Sequence, residues 1–352
     1  MRVPSVVSRH PSLRWLAPIA VAGLAGLAAT GMFRADVTSD SLPKASPAAL
    51  IAAVQAPMTV AFSGTVISRL DLGLPEMPSL GVDRQSASVS SLLSGSHTVQ
   101  VWYGGEQRQR IAVLGSTDET DVFRSGPDLW QWNSADRSAV HTILPPWMGL
   151  TTPAAVPTPA ALASRALESL DPTTKIVVRT DHRVANRSAY ELILTPQTLS
   201  TRVGSVHIAV DGRTKVPLSV QVYSRGATSA AIDVTFTSIR FNHPPKTYFT
   251  FTPPSNASVR TVDLRDSPRT ANGATGRIGT YGSGWTTVYT YRARGHLTLD
   301  PALRSACTRE SGAWGKGELF ASQLVSVLIT DNGHIYAGAV DPDALFAAAG
   351  SR

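Results

Sequence analysis

A single cysteine, Cys307, serves all 352 residues, which excludes an internal disulfide and any cysteine-based metal cluster. A lone thiol of this kind reads as a small buried hydrophobe. The histidines do not compensate. None of the eight belongs to a His-Glu-x-x-His pair or stands four residues from another, so the sequence offers no zinc-hydrolase motif. His97, His141 and His207 fall in predicted strands and read as hydrogen-bonded structural residues. Also missing are a Gly-x-Ser-x-Gly elbow and a Walker loop, and Gly282-Ser283-Gly284 lacks the third glycine and the βαβ setting of a dinucleotide fingerprint. A non-enzymatic role without metal or cofactor is therefore expected. Surplus positive charge is scarce once it is located: Arg2, Arg9, Arg14 and Arg34 carry four of the seven net charges, in a segment with no acidic residue. The three left over are too few and too scattered to track a phosphate backbone, so no nucleic-acid partner is expected.

What is present begins with the first forty residues. Arg2, Arg9 and Arg14 precede an uncharged stretch from Trp15 to Phe33, closed by Arg34 and followed by Asp36 and Asp40. This order places the N-terminus in the cytoplasm and the rest of the chain outside it. Residues 1–35 thus read as a signal peptide or a signal anchor and 36–45 as a linker. A span of that length just crosses a bilayer, while Pro18 and three glycines work against stable insertion, and cleavage near Ala29 or Ala35 is the competing reading. No cysteine follows the segment for lipid attachment.

From Ser46 onward the pattern is mainly β. Ser46 suits an N-cap and Pro47 a first helical position, predicting a helix over Ala48 to Gln55 that Pro57 ends. Met58, Val60, Phe62 and Val66 then alternate with Thr59, Ser63 and Thr65, the sign of a half-buried strand. Further strands are expected at Val99 to Tyr103, Gln109 to Leu114, Asp121 to Arg124, Leu129 to Asn133 and Ser138 to Leu144. Spacing this short forces antiparallel pairing. Two segments interrupt: the Leu-, Met- and Ser-rich loop from Leu70 to Ser96, with Leu74, Met77 and Leu80 as lid candidates, and the proline-rich Pro145 to Pro159, which leads into a helix at Ala160 to Leu170. Strands resume at Lys175 to Thr180, Ala189 to Leu194, Ser205 to Val210, Leu218 to Tyr223, Ala231 to Phe241 and Tyr248 to Phe251. Asp211-Gly212-Arg213 reads as a tight turn, with its aspartate in a turn role.

This order of elements resembles the LolA/RseB superfamily, and most nearly the actinobacterial LolA-like envelope proteins. The resemblance rests on Phe62-Ser63-Gly64-Thr65-Val66 after a capped helix, Leu72-Gly73-Leu74-Pro75, the run Ser94 to Gly105, Arg110 to Leu114, Gly126-Pro127-Asp128-Leu129-Trp130-Gln131-Trp132 and Val210 to Leu218. It covers 46–264 and implies a half-open antiparallel β-barrel, capped by helices, whose apolar cavity holds acyl chains of lipids or lipoproteins. The implied function is an extracytoplasmic carrier. The alternative is an RseB-like sensor of envelope stress with a membrane protein partner. Lipid-contacting residues vary in the family, so cavity candidates come from the pattern alone: Phe62, Val66, Trp102, Trp130, Trp132, Ile232, Val234 and Phe236. The strand carrying Val234 is expected to face a cavity rather than a filled core.

Beyond a polar linker at 265–277, residues 278–352 form a small C-terminal α+β module in this reading. It holds Trp285 to Tyr291, a polar stretch, a hairpin turning at Asp331-Asn332-Gly333, and a short helix from Asp341-Pro342 to Ala349. The simple carriers lack such a tail, and truncation near Asp266 is expected to leave a folded core.

Overall fold

Strands joined by short turns pair with their sequence neighbours, and the computed structural model, which describes residues 41–73, 95–115, 117–145, 158–266, 279–293 and 304–351, shows two such meanders laid edge to edge. The first is β1 (Phe62–Leu70), β2 (Gly95–Tyr103), β3 (Arg108–Leu114), β4 (Glu119–Ser125), β5 (Asp128–Asn133) and β6 (Ser138–Ile143). The second is β7 (Lys175–Val184), β8 (Arg187–Thr195), β9 (Val203–Asp211), β10 (Pro217–Ser224) and β11 (Ala230–Arg240). Antiparallel pairing of β1 with β11 joins them. With β12 (Ser258–Asp263) beside β6, the result is a half-open sheet of twelve strands with β12 and β7 at its edges.

β12 departs from the expected antiparallel rule: it runs parallel to β6, from Ser258 opposite Ser138 to Asp263 opposite Ile143. Short spacing constrains only consecutive strands, and the chain between β6 and β12 contains a helix and five further strands, ample for a parallel return. A second correction falls at Tyr248 to Phe251, read above as a strand. Lys246–Phe249 is a 3₁₀ turn, because Pro244 and Pro245 deny the segment ladder donors.

Both helices pack on one face of the sheet, called here the inner face. In α1 (Pro47–Gln55) the Ser46 hydroxyl accepts the Ala49 amide at 3.2 Å, and in α2 (Pro159–Glu168) the Thr158 hydroxyl accepts that of Ala161 at 3.3 Å. Leu50 and Val54 of α1 and Ala163 and Leu167 of α2 share one apolar cluster with Leu192, Leu194, Val206, Ile208 and Val220. The helices are short and gain stability from this burial rather than from propensity.

A second sheet of six strands follows, in the order β13 (Gly279–Tyr281), β14 (Val288–Arg292), β18 (His334–Gly338), β17 (Ser326–Thr330), β16 (Gly315–Ala321), β15 (Thr308–Gly312). The stretch read above as merely polar supplies β15 and most of β16. α3 (Pro342–Gly350) packs Leu345 and Ala348 against Val288, Leu328 and Tyr336 of this sheet. The two sheets are not independent. Trp285 and Leu324 are buried in the α1/α2 cluster of the first, and the Trp285 indole donates to the Thr174 hydroxyl at 2.8 Å. The Thr201 hydroxyl donates to the Ala339 carbonyl at 2.8 Å and Arg202 Nε to that of Val340 at 3.2 Å.

Asp211 does hold a turn. Its carboxylate accepts from Arg187 Nε at 2.6 Å, and from the Thr214 amide at 2.8 Å and hydroxyl at 2.7 Å. Burial alone would raise its pKa; the Arg187 and Thr214 donors outweigh that and hold it below the usual aspartate value. The pKa being depressed on folding, the stability it contributes is present above the unfolded value, about pH 4, and is lost as pH falls through the native one. Asp211→Asn is accordingly expected to lower stability at neutral pH and to flatten the acid limb of a urea-unfolding pH series. A limb as steep as wild type would show that other carboxylates govern it.

Candidate functional cleft

The inner face is assembled by register. β1 alternates buried Phe62, Val66, Ser68 and Leu70 with outward Ser63, Thr65 and Arg69. Opposite Phe62, Gly64 and Val66 stand Tyr103, Val101 and Val99 of β2. On the other side Val66, Ser68 and Leu70 meet Phe236, Val234 and Ile232 of β11. A bulge between Thr65 and Val66 shifts the phase of β11, so Ile239, opposite Gly64, also faces inward with Phe236. Gly64 is required at this crowded point. A Cβ there would stand 2.5 Å from the Ser238 carbonyl oxygen and 2.8 Å from the Phe236 ring.

Where α2 begins, the inner face opens into a cleft of about 200 Å³ lined by Met58, Phe62, Val101, Ile111, Ala161 and Phe236. Through Tyr103, Gln109, Ala160 and Val216, which line both, it adjoins a cleft of about 420 Å³ beside the end of α1 and the Thr214–Pro217 turn. These volumes suit a small-molecule site. The smaller cleft carries the aromatic cluster: Phe62 stacks on Tyr103 at 5.5 Å between centroids and meets Phe236 edge-on at 5.8 Å. Gln109 and Ser164 line both clefts, and Thr214 and Lys215 line the larger one. The Tyr103 hydroxyl donates to the Met58 carbonyl at 2.8 Å, and burial, then the charge of Glu106, push its pKa up, so it stays a neutral donor. The lining thus offers apolar surface together with hydrogen-bonding groups.

The predicted candidates separate into three groups. Phe62 and Phe236 line the cleft. Val66, Val234 and Ile232 share the inner face, but Val66 and Val234 are fully buried within the adjoining core, so the expected cavity at Val234 is filled by packing. Trp102, Trp130 and Trp132 are corrected: they lie on the opposite, outer face, because Val99, Val101 and Tyr103 take the inward parity of β2 and Trp102 pairs with Arg110, whose neighbour across β4 is Phe123. There Arg110 is held between Trp102 and Phe123, 4.8 and 4.7 Å from the ring centroids, and donates from Nε to Asp121 at 2.9 Å. Tyr248 stacks on Trp102, and Phe251 lies against Phe123, Trp130 and Trp132. The tryptophans thus fasten the 246–251 segment to the outside of the sheet. Leu74, Met77 and Leu80 lie outside the described residues.

Sequence reasoning missed Met58, Tyr103 and Ile111 as lining residues. The signal for Tyr103 was parity: it shares the alternation of Val99 and Val101 in β2.

No protein-family model matches the chain, and neither does any curated protein. Among solved structures, the MucA/MucB complex of Pseudomonas aeruginosa is similar over 85% of this chain and 94% of that chain, at 16% identity and a TM-score of 0.43. A conserved protein from Thermus thermophilus is similar over 61% of this chain and 98% of that one, at 9% identity and a TM-score of 0.34. A LolA superfamily protein from Nitrosomonas europaea is covered to 99% by 59% of this chain, at 10% identity and a TM-score of 0.24. Likeness of this degree establishes neither ligand nor activity for this chain.

Proposed function

We propose that this protein is an extracytoplasmic carrier that takes up acyl chains of lipids or lipoproteins through the inner-face cleft, without a chemical step. The carrying observation is the cleft itself, with apolar lining at Phe62, Val101, Ile111 and Phe236 beside hydrogen-bonding groups at Gln109, Ser164, Thr214 and Lys215. Burial at about 0.8 kcal/mol per methylene gives a palmitoyl chain on the order of 10 kcal/mol gross, enough to compete with residence in a membrane. The charge order around Trp15 to Phe33 supports a site outside the cytoplasm; among the described residues no helix is long and apolar enough to span a membrane.

Ala160→Trp tests the reading. Ala160 lines both parts of the cleft from the first turn of α2, so an indole there occupies ligand space while leaving the sheet untouched. The expected result is a melting temperature close to wild type and a several-fold fall in co-purified lipid by mass spectrometry. A wild type purified without lipid, or a variant that keeps its full load, contradicts the proposal.

One observation favours a second reading, a sensor of RseB type with a membrane protein partner. Trp285 and Leu324 of the second sheet share a cluster with both helices of the inner face, so a ligand that displaced α1 or α2 would be felt there. A sensor tolerates a retained anchor and a shuttle does not; sequencing the N-terminus of the mature protein separates them.

A further inference from the structure

Among the described residues that line the two adjoining clefts, one side chain carries a formal charge, Lys215, and none is acidic. Glu106, whose charge reaches Tyr103, is exposed and lines neither cleft, and Asp211 is paired with Arg187. The turn that leads to the lysine closes without its side chain. There the Asp211 carboxylate accepts from the Thr214 amide and hydroxyl, the Lys215 amide donates to the Asp211 carbonyl at 3.1 Å, and the Asp211 amide donates to that of Val216 at 2.9 Å. Lys215 has a left-handed backbone, φ +62°, which glycine or asparagine adopts at lower cost. Its side chain is nonetheless held in place. Nζ donates to the Gly212 carbonyl at 2.7 Å and stands 4.5 Å from the ring centroid of Tyr190, a member of the α1/α2 cluster. The Gly212 bond engages one of the three N–H donors of an ammonium. Val216, next in the chain, lines both clefts, so the cation adjoins the apolar lining at Phe62, Ile111 and Phe236.

We infer that the cleft takes a free long-chain fatty acid, its chain against Phe62, Ile111 and Phe236 and its carboxylate on the Lys215 ammonium, with Gln109 and Ser164 as neighbouring hydrogen-bonding groups. This rests on the acyl-binding reading and narrows it from acyl chains in general to one class of ligand. Charge balance favours a carboxylate: one lysine offsets its single charge, whereas a phosphate monoester carries about two and suits the forked donors of arginine. Volume agrees. Clefts of about 200 and 420 Å³ fall in the range of one small-molecule ligand, and a single chain with a compact head asks less of them than a two-chain phospholipid. A methyl ester of the same chain would draw the ammonium out of water without pairing it, and so binds more weakly.

The test equilibrates delipidated full-length protein with phosphatidylcholine vesicles carrying a trace of palmitate, methyl palmitate or hexadecyl phosphate, and counts protein-bound ligand by mass spectrometry. Wild type is expected to take up palmitate about tenfold over the methyl ester, the scale of one charge-assisted hydrogen bond, and to take up palmitate ahead of the phosphate. Lys215→Met, which keeps an unbranched stem beside Tyr190, is expected to take up palmitate and methyl ester alike, with methyl ester uptake unchanged. Lys215→Arg is expected to retain the preference. Lys215→Gly, which suits the left-handed backbone, carries the same comparison if the methionine variant fails to fold. A wild type without the preference, a preference that survives loss of the charge, uptake of both ligands falling together, or hexadecyl phosphate ahead of palmitate would each overturn the inference and leave the acyl-binding reading in place. A wild type that takes up none of the three removes both.

Discussion

Truncation after Asp266 is expected to unfold the twelve-stranded sheet under mild conditions rather than to release a smaller stable protein. The sequence suggested the opposite, since a polar linker at 265–277 separates two runs of strands. Yet Trp285 and Leu324, 6% and 3% exposed, complete the cluster that holds Leu50, Leu167, Leu194 and Val206. Removing a buried tryptophan costs about 3–5 kcal/mol and a buried leucine about 2–5. Their joint loss rivals the roughly 5–15 kcal/mol by which a typical domain is stable. The hydrogen bonds from Thr201 and Arg202 to the Ala339 and Val340 carbonyls go with them. Chemical denaturation of the truncated chain should show a midpoint far below wild type or no cooperative transition, and Trp285→Ala in the full chain should reproduce much of the loss. A truncated chain that unfolds cooperatively at the wild-type midpoint would instead establish a separable module.

Val234→Trp carries the second large effect. Val234 is fully buried between its cross-strand partners Val220 of β10 and Ser68 of β1, in a cluster with Val66, Leu218 and Phe236. An indole in that space forces neighbours off their rotamers, at about 1–3 kcal/mol or more. Thermal unfolding of the delipidated protein is expected to report this loss. An unchanged midpoint would mean that the inner face around Val234 stands open before any ligand arrives, and that the preformed cavity extends beyond Phe236.

Parity explains much of what was legible. The even spacing of Phe62, Val66, Val234 and Phe236 placed all four on one face, and the face is the one the helices cover. The same rule applied to Val99, Val101 and Tyr103 sends Trp102 outward, whatever the suitability of an indole for a ligand wall. The bulge at Thr65/Val66, by contrast, leaves no clear mark in the sequence, because one extra residue in β11 is indistinguishable from ordinary alternation until the partner strand is known.

What the sequence determined by itself is local: that one helix starts at Ser46 and another near Ala160, where Pro57 stops the first, which residues alternate, and that strands separated by short turns pair antiparallel. Such features depend on neighbours within a few positions, and caps, prolines and periodicity report them directly. Tertiary structure alone decided the long-range partners: β1 against β11, β12 returning parallel along β6, and Trp285 inserted beside α1 and α2. These contacts join residues more than 100 apart in the chain. They are selected by shape and buried area summed over the whole fold, a quantity that no single window of sequence contains.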